Sequence, residues 1–91
     1  MHTNKILEFI SLCEKIWGFY PEYSGGCYKF SKLLISVFGG EMYWTTGHVI
    51  TVIEGVAYDK NGITELTDDF FKVGSKDCTY EFIERIYKEY L

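Results

Sequence analysis

The fold is decided by residues 41–59, which read EMYWTTGHVITVIEGVAYD. Within this stretch, residues 48–53 are β-branched almost throughout, which is typical of a buried strand. The pairs Thr46-Gly47 and Glu54-Gly55 predict turns on either side of it, although Glu is a poor choice for a positive φ angle. Residues 41–45 and 56–59 are therefore predicted to be further strands of a small antiparallel sheet.

Outside the sheet, apolar residues recur at helical spacing. One helix is predicted from residue 3 to about residue 17, a second from Cys27 to the Gly39-Gly40 pair, and a third near the C-terminus, where an apolar stripe runs to the end of the chain. Residues 18–26 contain the single proline and three glycines, which predicts a loop.

The secondary structure of residues 60–73 is the part of the chain that the sequence predicts least clearly. Lys60-Asn61-Gly62 predicts a further turn, and residues 64–73 are ambiguous. The segment Thr67-Asp68-Asp69 is compatible with the cap of a short helix that ends at Gly74. The predicted fold class is α+β, with N-terminal helices packed on a small antiparallel sheet and a C-terminal helix, in a single compact domain over residues 1–91.

Composition excludes several classes of protein. The net charge is −4 and the nine basic residues form no cluster, which argues against nucleic acid as a partner. Apolar runs fall far short of the ~20 residues that span a bilayer, so no membrane partner is expected. Glu8 and Glu14 interrupt any apolar core of a signal peptide, and we expect a cytoplasmic protein.

The three cysteines, Cys13, Cys27 and Cys78, agree with a reducing compartment because their number is odd and their spacings are wide. No Cys-x-x-Cys pair is present, so no metal site and no cofactor are predicted. Cys13 lies on the apolar stripe of the first helix, and Cys78 has no neighbouring base in sequence. Both are predicted to be buried small hydrophobic residues.

Cys27 is different, because it follows Gly25-Gly26 at a predicted helix start. A helix N-terminus stabilises an anion, so a lowered thiol pKa is expected there, and the same N–H groups can hold an oxyanion. His2 is at the terminus, which leaves His48 as the general base. If Glu54-Gly55 is a two-residue turn, Asp59 is a diagonal neighbour of His48 on the adjacent strand and can orient the imidazole.

This order of residues resembles the papain-like cysteine hydrolases, in which a Cys begins a helix, a His opens a strand and a polar residue follows on the next strand. The resemblance is carried by Gly25-Gly26-Cys27-Tyr28-Lys29-Phe30, by residues 47–53 (GHVITVI) and by residues 58–62 (YDKNG). It is greatest to the compact NlpC-type, CHAP-type and transglutaminase-like members, and small bacteriophage proteins are also similar. It implies a minimal papain-like fold and a Cys27-His48-Asp59 triad that acts on a peptide, isopeptide or side-chain amide, with a peptide or protein as substrate.

The sequence also departs from that family. NlpC-type enzymes carry Asp before the nucleophile and Ser-Gly after it, and papain takes an oxyanion donor from a glutamine, a residue that this chain lacks. By elimination, the second oxyanion donor is Tyr20, Tyr23, Ser24 or a backbone N–H of that loop, and Tyr23 and Ser24 are taken as the candidates. Gly26, at the predicted helix start, and Trp44, among the aromatic residues expected near the site, are predicted as further oxyanion or substrate contacts.

Two other interpretations remain open. The first is a catalytically inactive binding protein, such as a phage-encoded inhibitor of a host protein, that contacts its partner through an acidic, tyrosine-rich surface. The second is a subunit whose site forms between copies of the chain. The aromatic residues of these segments (Tyr20, Tyr23, Tyr28, Tyr43 and Trp44) either line a substrate groove or fill the core.

Overall fold

The computed structural model describes residues 3–17 and 24–88. Three helices are present in these ranges: α1 (Thr3–Trp17), α2 (Ser24–Phe38) and α3 (Tyr80–Ile86). The strands are β1 (Glu41–Thr45), β2 (His48–Ile53), β3 (Val56–Asp59), β4 (Gly62–Thr64) and β5 (Phe71–Lys72). They form one antiparallel sheet in the order β4-β3-β2-β1-β5, so β2 is its central strand. The α+β class and the predicted arrangement of helices around the sheet are confirmed.

The register of the central hairpin is the one that the two-residue turn predicts. Ile53 pairs with Val56 and Thr51 with Tyr58, with Glu54 and Gly55 between the strands. Both turn residues have positive φ angles, 51° at Glu54 and 82° at Gly55. A turn with two positive φ angles matches the right-handed twist of the flanking strands, which is why hairpins favour it.

The Gly39-Gly40 pair ends α2, as predicted, and the N–H of Gly39 donates to the carbonyl of Ile35 at 2.8 Å. Gly40 has a φ of 105°, and a Cβ at this position would lie only 2.6 Å from the carbonyl oxygen of Val52. A side chain does not fit between the start of β1 and the central strand, so this position requires glycine.

Two clusters of buried side chains hold α2 against the sheet. Leu34 is fully buried in the first cluster, which joins α1, α2 and the central hairpin; its buried members are Ile6, Ile10, Cys13, Phe30, Leu34, Ile53 and Tyr58. The second joins α2 to the sheet and α3; its buried members are Tyr28, Met42, Val49, Val73, Cys78, Ile83 and Tyr87. Helix α2 contributes side chains to both clusters. Each fully buried aliphatic or aromatic side chain contributes about 1.5–3 kcal/mol to the free energy of folding, and this burial fixes α2 over β2.

Several predicted boundaries are wrong. Residues 64–73 contain no helix. The Asp69 carboxylate instead accepts hydrogen bonds from the hydroxyl of Thr67 and, at 3.3 Å, from the hydroxyl of Thr45. The chain then forms β5, which pairs with β1. The strand β4 was not predicted, and it forms because the chain pairs with β3 directly after the turn at residues 60–61. Helix α3 ends at Ile86 instead of continuing to the C-terminus, with Tyr87 as its C-cap.

The N-terminal boundary of α2 also differs from the prediction. The helix begins at Ser24, so residues 24–26 belong to it and not to a loop, while residues 18–23 lie outside the described ranges. None of the described helices is long and apolar enough to cross a membrane.

Candidate functional site

The site is built where the first turn of α2 meets the start of β2. Cys27 is the fourth residue of α2 and is half-buried, whereas Cys13 and Cys78 are buried in the two core clusters, as predicted. All three thiols are free. The packing of α2 over the central strand therefore brings one half-exposed thiol to the end of β2 at which His48 lies.

Cys27 and His48 are in contact. The Sγ atom of Cys27 lies 3.7 Å from Nδ1 of His48, which is within the range of a hydrogen bond to sulfur. The two residues are 21 positions apart in sequence, so tertiary packing alone creates this contact. A thiol within reach of an imidazole nitrogen is the arrangement that allows a general base to take the thiol proton.

The opposite nitrogen of the imidazole faces Asp59. Nε2 of His48 lies 3.9 Å from Oδ2 of Asp59, a distance suited to a charge contact but too long for a direct hydrogen bond. The second carboxylate oxygen, Oδ1, accepts the backbone N–H of Asn61 at 2.8 Å. Asp59 is therefore both the turn residue that its Asp-Lys-Asn-Gly context predicts and a neighbour of the imidazole.

The position of this carboxylate favours one of the two histidine tautomers. A negative oxygen beside Nε2 favours the proton on that nitrogen, which leaves Nδ1 free to accept a proton from the Cys27 thiol. The side chain of His48 is 39% exposed and that of Asp59 is 17% exposed, so solvent reaches the imidazole more than the carboxylate.

Phe70 also packs against His48. Their ring centroids lie 6.1 Å apart with an interplanar angle of 62°. Phe70 lies directly before β5, in the segment whose structure the sequence left ambiguous, so its contact with the imidazole was not predicted.

The electrostatic prediction for Cys27 is wrong in direction. Burial of the thiol raises its pKa above the ordinary value, although the backbone N–H of Val49 and the positive charge of Lys60 act in the opposite sense. The helix start explains part of the difference, because α2 begins three residues before Cys27 and the effect of the helix dipole falls off within the first turn. The resting thiol of Cys27 is therefore protonated at neutral pH.

A cavity of about 70 Å³ adjoins the Cys27–His48 contact. Its lining comes from α2, from the central hairpin and from the turn after β3: Cys27, Phe30, Ser31, His48, Val49, Thr51, Tyr58, Asp59, Lys60 and Asn61. The three predicted catalytic residues thus border one concave space, which is the usual form of a small-molecule or side-chain site.

The predicted oxyanion and substrate contacts have different outcomes. Tyr23 lies outside the described residues, and so does the side chain of Ser24. The backbone of Gly26 is in the first turn of α2, where N–H groups have no partner within the helix.

Trp44 is not among the described residues that line the cavity. Its indole N–H donates to the Tyr87 hydroxyl at 3.2 Å, and its ring packs against Phe71 and Phe82. Tyr28 is 3% exposed and stacks on Tyr87 with ring centroids 5.0 Å apart. Tyr28 therefore fills the core, and Trp44 faces β5 and α3 instead of the cavity.

The sequence prediction missed Ser31, Thr51 and Lys60 in the lining. Ser31 lies one helical turn after Cys27, and Thr51 is the one hydroxyl in the apolar strand β2. A hydroxyl that interrupts an apolar stripe on each of two packed elements is the signal that points to such a pair.

Within the described ranges, no group of His, Cys, Asp and Glu side chains is arranged to hold a metal ion. Comparisons with protein-family models, with curated proteins and with solved structures found no match to this chain. The functional interpretation therefore rests on the geometry of Cys27, His48 and Asp59.

Proposed function

We propose that the protein is a cysteine-dependent hydrolase or acyltransferase, with Cys27 as nucleophile, His48 as general base and Asp59 as the residue that orients the base. One observation carries the proposal: two consecutive contacts, of 3.7 Å and 3.9 Å, link the three side chains in the order that the chemistry requires. Each residue alone has an ordinary structural explanation, so the proposal rests on the alignment of all three along one imidazole.

The reaction begins with a protonated thiol. Nδ1 of His48 takes the proton of Cys27 while Sγ attacks the carbonyl carbon of an amide, and the carbonyl electron pair moves to the oxygen. The tetrahedral intermediate collapses, the C–N bond breaks, and His48 returns the proton to the leaving amine. Water or a second amine then attacks the thioester carbon while His48 accepts its proton. The C–S bond breaks, the acyl group leaves as an acid or an amide, and His48 returns the proton to the sulfur of Cys27.

The first turn of α2 supplies a stabilising environment for the oxyanion. The N–H of Gly26 has no partner within the helix and lies directly before the nucleophile. Backbone donors directed at a developing negative charge are among the strongest contributions to acyl-transfer catalysis. Tyr23 and Ser24 remain the proposed further donors.

The substrate class is a peptide, an isopeptide or a side-chain amide, and no step of this mechanism uses a metal or an organic cofactor. We also propose kinship with the papain-like hydrolases, supported by the order of the three residues and by their placement on a helix, a strand and the next strand. A cytoplasmic location is proposed with it, since the nucleophile acts as a free thiol.

The decisive experiment uses p-nitrophenyl acetate as a general acyl donor. We expect acetylation of Cys27, detected by mass spectrometry of tryptic peptides, followed by slow release of acetate. The Cys27→Ala variant should lose this reaction, whereas Cys13→Ala, which removes a buried thiol from the core, should retain it. Acetylation of Cys27 no faster than that of a thiol in the unfolded chain would contradict the proposal.

A specific observation favours a second function, that of a protein-binding module. Phe71, Tyr80 and Phe82 are 45%, 55% and 37% exposed, and Phe71 and Phe82 flank Trp44. Exposed aromatic residues grouped in this way are typical of protein interfaces. One pair of variants distinguishes the two functions. Cys27→Ala should abolish acyl transfer and spare binding to a partner protein, and Phe82→Lys should weaken binding and spare acetylation of Cys27.

A further inference from the structure

The cavity beside Cys27 has a polar feature that the proposed reaction does not use. Ser31 and Thr51 are each 1% exposed, and their hydroxyl oxygens lie 2.7 Å apart. Both residues line the cavity, Ser31 from α2 and Thr51 from β2. Two buried hydroxyl groups in the wall of a cavity are notable, because burial of a hydroxyl is costly unless it is hydrogen-bonded.

The two hydroxyl groups do not use all of their hydrogen-bond donors. Two hydroxyl groups carry two O–H donors, and the bond between them uses only one. Within the described part of the chain, the structure gives neither hydroxyl another partner. One O–H donor is therefore available to a group that enters the cavity.

The size of the cavity limits what can enter. A volume of about 70 Å³ holds roughly five atoms of the size of a water oxygen. The carboxamide of an asparagine or the branched end of a threonine fits within this limit, whereas an aromatic ring does not. Phe30 and Val49 provide apolar walls beside the hydroxyl pair.

We propose that this cavity is the side-chain pocket of the acyl donor, and that the Ser31–Thr51 pair selects a short side chain with a hydrogen-bond acceptor at its end, a hydroxyl or a carboxamide. The inference rests on the proposed function, because it takes Cys27 as the nucleophile beside which the side chain binds. It deepens that function by naming the class of residue that donates the acyl group.

The test measures the rate at which N-acetylated amino-acid chloromethyl ketones label Cys27. In this reaction Sγ attacks the methylene carbon, chloride leaves, and the thiol proton passes through His48 to solvent. The threonine and valine ketones have nearly the same shape and differ in one hydroxyl. We expect the threonine ketone to label about two- to tenfold faster than the valine ketone, and the phenylalanine ketone to be the slowest.

Two variants remove the polar feature separately. Thr51→Val preserves shape and Ser31→Ala removes the other hydroxyl. Each single variant still leaves one O–H donor in the cavity wall, so the double variant Ser31→Ala/Thr51→Val is the one that should bring the threonine-to-valine ratio close to one. Ser36→Ala changes an exposed serine of the same helix and should leave the ratio unchanged. Iodoacetamide, which needs no side-chain pocket, provides the reference rate for each variant, and circular dichroism verifies its folding.

The outcomes separate this inference from the proposed function. A threonine-to-valine ratio of one in the unmodified protein, or labelling by iodoacetamide but by none of the ketones, overturns the pocket even if acyl transfer occurs. A ratio that depends on Ser31 and Thr51 supports the pocket even if p-nitrophenyl acetate is never turned over, in which case only the hydrolase proposal fails.

Discussion

Asp59 directs Oδ2 toward Nε2 of His48 at 3.9 Å while its other oxygen is held by a turn N–H. The turn therefore limits the rotation of the carboxylate and keeps one oxygen beside the imidazole. Because the 3.9 Å separation exceeds a direct hydrogen bond, this contact is expected to shorten if the imidazole gains a proton and becomes positive, as the proposed reaction requires.

Two substitutions of Asp59 separate its structural role from its proposed role in catalysis. Asp59→Asn keeps an acceptor for the Asn61 N–H but removes the charge beside His48, so Cys27 acetylation should slow by at least about tenfold with little change in Tm. Asp59→Ala also loses the turn hydrogen bond and should lower the free energy of unfolding by about 0.5–1.5 kcal/mol. Equal acetylation rates in Asp59→Asn and the unmodified protein would remove Asp59 from the mechanism.

The raised pKa of the Cys27 thiol makes the contribution of His48 depend on pH. At neutral pH the thiol is protonated, and His48→Asn should slow acetylation because no neighbouring base accepts the proton. Above the thiol pKa, solvent removes that proton, and the two proteins should converge. Stopped-flow acetylation rates between pH 6 and pH 10.5 test this expectation, and a deficit that stays constant across the range would show that His48 does not act as a base.

Folding stability should decrease in alkaline solution. Burial raises the pKa of the Cys13, Cys27 and Cys78 thiols in the folded protein. As pH rises above about 8.5, the unfolded chain loses these protons first, so the folded state binds more protons and rising pH favours unfolding. Urea titrations at pH 7.5 and pH 9.5 should give a lower free energy of unfolding at the higher pH, and Cys78→Ala should reduce the difference. An unchanged or higher value at pH 9.5 would contradict the expectation.

The central hairpin was predictable from sequence because its signals are local. The β-branched run of residues 48–53 and the Glu54-Gly55 turn determine which residues pair, and the register follows from the turn length. Residues 64–73 were not predictable because their structure depends on a distant strand. The segment Phe71–Lys72 becomes β5 by pairing with Tyr43 and Trp44, a contact that no local pattern encodes.

The same distinction applies to the site. The order of Cys27, His48 and Asp59 along the chain was sufficient to propose their contact, because one lies on a packed helix and two lie on one hairpin. The protonation state of the Cys27 thiol could not be predicted from the sequence, because its pKa depends on burial that only the assembled core produces. The Ser31–Thr51 pair was missed for a related reason: each hydroxyl interrupts an apolar stripe, but the two become partners only when α2 packs on β2.

The hydrogen bond from Trp44 to Tyr87 predicts a structural role for Trp44. A double-mutant cycle with Trp44→Phe and Tyr87→Phe should give a coupling energy of about 0.5–1.5 kcal/mol in the free energy of unfolding. Both single variants should retain Cys27 acetylation, because the described lining of the cavity does not include Trp44. Loss of acetylation in Trp44→Phe at unchanged stability would restore Trp44 as a substrate contact.

The Glu54-Gly55 turn offers a direct way to stabilise the hairpin that carries His48 and Asp59. Glu54 has a φ of 51°, a conformation that asparagine adopts more readily than glutamate, and Asn-Gly is the preferred pair for this turn. Glu54→Asn should raise the free energy of unfolding by about 0.5–1 kcal/mol, which corresponds to roughly 2–8 °C in Tm. Glu54→Gln removes the charge without this backbone benefit and should stay within about 0.5 kcal/mol of the unmodified protein. Gly55→Ala should be destabilising through its φ of 82° alone, because the space around Gly55 is open. A thermal melt in which Glu54→Asn and Glu54→Gln coincide would show that the backbone conformation at this position costs nothing.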